Sequence, residues 1–120
     1  MGRVVRRRLT KPGRIVPADA RRLRGRCVAL RAGDAMPWHS TGAREELLIP
    51  LQGALRLEIE RSGRRRRVVM RPGLTIFLPS ATTHQVVNAS RKPARYLYVT
   101  GGPASAGIVA PARSARRSAA

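Results

Sequence analysis

Only two histidines occur in the 120 residues, His39 and His84, and each stands beside turn chemistry. His39 lies in Pro37-Trp38-His39-Ser40-Thr41-Gly42, and His84 ends Pro79-Ser80-Ala81-Thr82-Thr83-His84. Glu45 and Glu46 follow His39 after one tight turn, so a hairpin brings one of the two carboxylates back beside the imidazole. Two imidazoles and a carboxylate gathered in an apolar interior make a donor set for a divalent ion such as iron, manganese, nickel or zinc. A histidine taken singly reads as a structural residue. It is the pair, with a carboxylate at hairpin spacing, that points to chemistry. Cys27 is the only cysteine, which excludes an internal disulfide and a cysteine-built zinc site and reads as a small buried hydrophobe. No glycine-rich phosphate loop is present.

These residues must be carried by short strands. No 3.6-residue periodicity lasts for the length of a helix, whereas apolar segments separated by turn residues recur along the chain. The strand segments are 27–32, 47–50, 54–60, 67–70, 74–78, 85–88 and 94–100. Leu55, Leu57 and Ile59 alternate with Arg56, Glu58 and Glu60, the period-two pattern of a strand with one face buried and one wet. Ser62-Gly63 then reads as a hairpin turn, which sets Arg64 to Arg67 on the turn and the returning strand, and Gly53 and Pro72-Gly73 mark further turns. The implied class is all-β, a sandwich or barrel. Residues 1–20 read as a basic arm with one short edge strand, 21–101 as the folded domain and 102–120 as an Ala-, Ser- and Arg-rich tail.

The spacing resembles that of the cupin superfamily. Its first motif runs Gly, five residues, His-x-His, three or four residues, Glu, six residues, Gly, and here stand Gly33, His39, Thr41, Glu46 and Gly53. Its second runs Gly, five residues, Pro-x-Gly, two residues, His, three residues, Asn, and here stand Gly73, Pro79, Ala81, His84 and Asn88. The resemblance implies a single-domain cupin, a jelly-roll β-barrel or sandwich over about residues 26 to 101, that pairs as a homodimer. It also implies metal ligands at His39, Glu46 and His84, with Thr41 in place of a second histidine. A threonine hydroxyl is a poor ligand, so the set shrinks to two histidines and one carboxylate with open positions for a small-molecule ligand. Ala81 stands where a glycine would supply a positive φ. The count to Gly53 favours Glu46 over Glu45, which is left to point outward and pair with Arg44 or another surface arginine. Trp38 is expected as a pocket wall or as packing. Gln85 and Asn88 are expected to steady His84, or Asn88 to close a turn.

Charge dominates the composition: 25 Lys and Arg against 6 Asp and Glu, a net +19, with Lys11 and Lys92 the only lysines. One reading is phosphate binding; the other is an arginine-rich solvated surface that attracts polyanions nonspecifically. The few aromatics, Trp38, Phe77, Tyr96 and Tyr98, are not interleaved with the arginine runs as a base-stacking platform requires. Five of the six acids lie between Asp34 and Glu60, where only Arg44 and Arg56 are basic. The positive charge therefore belongs to the arm, the Arg64 hairpin and the tail. Neither a signal-peptide apolar stretch nor a membrane span is seen, and a soluble cytoplasmic protein is expected. Three functions compete: a metal cupin binding a small molecule, with dioxygenase- or isomerase-like chemistry, a metal-free ligand-binding or sensing cupin, and a basic nucleic-acid-associated protein.

Overall fold

The computed structural model describes residues 3–102. Its nine strands are β1 (Gly13–Arg14), β2 (Leu23–Leu30), β3 (Ala35–Ser40), β4 (Glu45–Gln52), β5 (Leu55–Arg61), β6 (Arg64–Met70), β7 (Ile76–Leu78), β8 (Thr83–Val87) and β9 (Ala94–Gly101). No helix occurs among the described residues. All pairings are antiparallel, in a five-stranded sheet of order β1-β2-β9-β4-β7 and a four-stranded sheet of order β3-β8-β5-β6. The two sheets face each other across one core, the all-β sandwich expected from the strand and turn pattern and the jelly roll that the cupin resemblance implies. Leu30, Leu48, Ala94 and Tyr96 come from the first sheet and Leu55, Leu57, Met70 and Val86 from the second. Leu48 and Leu57 are fully buried, each removing apolar surface worth about 1.5–3 kcal/mol from water.

Local chemistry accounts for the element ends. Ser62 and Gly63, both at positive φ, make the two-residue connection of the β5–β6 hairpin, and Arg61 pairs with Arg64 directly across it. Pro72-Gly73 builds a turn in which the Leu74 amide donates to the Arg71 carbonyl at 3.1 Å, with Gly73 at φ 99°, as a type II turn demands. Gly53 after β4 has φ 82°, and a Cβ there would stand 2.8 Å from that of Ala94, so only glycine lets this turn pack against the start of β9.

One strand is missing from the sequence reading. β3 is absent from the strands that the sequence marks, because Ala-Met-Pro-Trp-His-Ser has neither alternation nor β-branched residues. It forms as an edge strand of the four-stranded sheet, with a bulge between Met36 and His39 that accommodates Pro37. The arm's short strand falls at Gly13–Arg14, paired with Cys27 and Arg26. Cys27 is free and buried. The tail of residues 103–120 lies outside the described residues.

Candidate metal centre

Three strands from both sheets build the centre. His39 on β3 and His84 on β8 are direct cross-strand partners, so their side chains share one face, and their ring centroids lie 4.4 Å apart. Glu46 reaches them from β4 of the opposite sheet, with Oε1 3.6 Å from His84 Nε2. One ligand atom from each of His39, Glu46 and His84 lies within 4.8 Å of the others. Ligands held about 2.0–2.2 Å from one ion stand roughly 3 Å apart, so small side-chain rotations close this set around a cation. His84 and Glu46 are buried at 1% and 6% exposure, while His39 is exposed. One side of the centre therefore opens to solvent.

The backbone prepares both imidazoles in the same way. His39 Nδ1 donates to the Pro37 carbonyl at 2.7 Å, and His84 Nδ1 donates to the Thr82 carbonyl at 3.1 Å. Assigning the ring proton to Nδ1 leaves Nε2 as a lone pair on each ring, the arrangement seen when a carbonyl orients a metal-binding histidine. Glu46 forms no ion pair with any arginine among the described residues, only the approach to His84. A carboxylate buried this way is costly without a cation beside it. The Thr82 hydroxyl, also buried, has no hydrogen-bond partner. The donor types, the ring orientation and the uncompensated carboxylate fit a divalent ion.

Thr41 is committed elsewhere. Its hydroxyl donates to the Pro79 carbonyl at 2.8 Å and accepts the Thr82 amide at 3.0 Å, so it ties the loop after β3 to the loop before β8. Ala81 sits at φ 58°, the positive value its position implies, with its amide donating to the Gly42 carbonyl at 2.8 Å. A left-handed alanine costs about 1–2 kcal/mol.

The remaining candidates lie away from the centre. Glu45 is exposed, and Arg44 does not pair with it. Arg44 instead donates to the Arg22, Thr100 and Gly102 carbonyls and to Thr100 Oγ1, clamping the chain around the ends of β2, β4 and β9. Gln85 occupies the opposite face of β8 from His84 and donates to Glu58 Oε1 at 2.7 Å, so it does not orient the imidazole. The cause is the period of the strand, which sends adjacent side chains to opposite faces. Asn88, fully buried, closes its turn: its amide donates to the Leu30 and Lys92 carbonyls and its oxygen accepts from Ser90. Trp38, half-buried, stacks against the Arg65 guanidinium, 5.1 Å from its ring centroid, which joins an aromatic to the arginine run that the sequence keeps apart.

Tyr96 is buried in the core and is a neighbour of the centre that neither motif includes. Burial pushes its phenol well above the ordinary range, and the negative charge of Glu46 adds to the shift. No local pattern marks it, because its position depends on β9 pairing with β4.

The chain matches the cupin domain model over residues 26–100 and belongs to that family. No curated protein matches it. Among solved structures it is similar to oxalate oxidase in complex with the substrate analogue glycolate, at 20% identity and a TM-score of 0.62 over 67% of this chain and 42% of that one. This chain thus spans under half of the oxalate oxidase chain. It is also similar to TT1209 from Thermus thermophilus, with 25% identity, a TM-score of 0.63 and coverage of 81% and 89%. A cupin domain from Bordetella pertussis Tohama I shares 16% identity with a TM-score of 0.62, covering 78% of this chain and 93% of that one. These likenesses support the fold.

Proposed function

We propose that the protein is a metal-dependent cupin that binds one divalent ion through His39, Glu46 and His84 and takes a small-molecule ligand at the open side of that ion. The observation that carries this reading is the convergence of two carbonyl-oriented imidazoles and a buried carboxylate, with ligand atoms within 4.8 Å of one another. When bound, the ion supplies Lewis acidity and coordination positions the protein leaves free. The chain's own residues do the rest. His39 completes the donor set on the side that opens to solvent, and Glu46 supplies the negative charge. The Thr41 staple takes the place of a fourth protein ligand, which leaves room for substrate. An ion held with open positions suits dioxygenase-like or isomerase-like chemistry on a small oxygen-rich molecule.

Elemental analysis of the purified protein, followed by titration of the stripped protein with iron, manganese, nickel and zinc, tests this. The expected result is one ion per chain, with His39→Ala and Glu46→Gln each weakening binding by about tenfold or more. An unmutated chain that neither carries nor binds any of the four metals would reject the reading in favour of a metal-free ligand-binding cupin.

A further inference from the structure

A second concavity lies where the arm folds back over the edge of the five-stranded sheet. The Ile15 amide donates to the Gly25 carbonyl at 3.0 Å, extending the β1–β2 pairing, and the Ala20 amide closes a turn onto the Pro17 carbonyl at 3.1 Å. Ile15 and Val16 pack so close to Gly25 that a Cβ there would stand 3.0–3.1 Å from them. The arm is therefore fitted to this strand. Between them is a cavity of about 240 Å³ lined by Arg14, Arg24, Arg26, Tyr98 and arm residues including Pro17.

Three arginines line this cavity and no acidic residue does. Among the described residues, none of the three takes part in an ion pair. Their mutual repulsion around one small space is relieved by an anion, and the planar guanidinium fork matches carboxylate and phosphate oxygens in pairs. The cavity volume is below the ordinary range of about 300–1,000 Å³ for drug-sized ligands, which suits a small acid.

Register relates this cavity to the centre. Arg24 pairs with Thr100, and Thr100 pairs with Glu46, so all three side chains share one sheet face. Two strand spacings separate Arg24 from Glu46, about 10 Å between their Cα atoms.

We propose that the cavity of Arg14, Arg24 and Arg26 is a binding site for a small-molecule oxyanion, a carboxylate or a phosphate, and that it selects acidic ligands for the neighbouring centre. The selecting role rests on the metal reading above; the anion site does not. Calorimetric titration of the metal-stripped full chain with malonate, inorganic phosphate and, as a neutral control, glycerol tests it. One saturable site for malonate or phosphate is expected, with none for glycerol, and the tighter of the two anions identifies the class.

Arg24→Gln combined with Arg26→Gln is expected to weaken that binding by about tenfold or more, while Arg66→Gln on the distant hairpin changes it by less than about twofold. Arg14→Gln alone, on the separate arm strand, is expected to weaken it in the same direction. His39→Ala is expected to leave it unchanged. Absence of saturable binding overturns the proposal. So does an equal loss in Arg66→Gln, which would show diffuse charge only, or binding that requires added metal and disappears in His39→Ala, which would place the anion on the ion. A chain that binds no metal yet keeps the arginine-dependent site refutes the metal reading alone.

Discussion

Thr41 stands where the cupin motif resemblance implies a second histidine, and its hydroxyl holds two loops together instead. Thr41→Val keeps the shape but leaves the buried Thr82 amide and the Pro79 carbonyl without that partner. The expected cost is about 1–3 kcal/mol in denaturant unfolding at constant slope, and an unchanged midpoint would show that the hydroxyl is dispensable. Ala81 presents the opposite case, a residue strained by its own side chain at φ 58°. Ala81→Gly relieves a left-handed alanine and loosens the unfolded chain, so a net gain of roughly 0.5–1 kcal/mol is expected. A lower melting temperature in that variant would mean that the Ala81 methyl contributes packing that outweighs the strain. At this scale the candidate ligands were legible, because His39, Glu46 and His84 are rare residue types at defined intervals. The commitments of Thr41 and Gln85 were not, since their partners lie 41 and 27 residues away in the chain.

Within single elements, the outer face of the β5, β6 and β8 strands carries its own electrostatics. Glu58 accepts from Gln85 and lies 2.8 Å from Arg56 Nε and 3.9 Å from Arg67 Nε. The Gln85 hydrogen bond, assisted by Arg56 and Arg67 and opposed by partial burial, holds its carboxyl below the ordinary 4.5. A folded value below the unfolded one means that Glu58 contributes stability above the ordinary carboxylate pKa and loses it as pH falls through the folded value. Unfolding free energy measured from pH 6 downward, roughly to pH 3, is therefore expected to fall less steeply in Glu58→Gln than in the parent. Identical acid profiles would remove Glu58 from the acid response. The same strands show which elements a sequence reveals. β5 alternates cleanly because one face is buried and the other wet, so its period is written in Leu55, Leu57 and Ile59. β3 is hidden because Pro37 and a bulge interrupt its pattern, and its strand character comes from pairing with β8.

Over the whole molecule, charge and chemistry are spatially divided. The Arg64–Arg67 run is exposed on the β5–β6 hairpin, whereas Glu46 and His84 are enclosed between the sheets. Attraction to polyanions is expected to be strong at low salt and to drop by orders of magnitude between about 50 and 200 mM salt, as counterion release dictates. Gel-shift titration across that range checks this. Retention that persists undiminished would indicate a dedicated nucleic-acid surface, for which the Trp38–Arg65 stack is the natural place to look. None of the described elements is a helix long and apolar enough to cross a membrane. The sequence by itself determined the all-β class, the two motifs and the three candidate ligands, because alternation, turn residues and rare donor types are local properties. Only the tertiary structure decided that Thr41 is a staple, that Gln85 faces away from His84, and that three arginines meet at one cavity. Those outcomes depend on how β4, β8 and β9 pair and on where the arm lies, and such long-range register is set by burial of the common core rather than by any short stretch of chain.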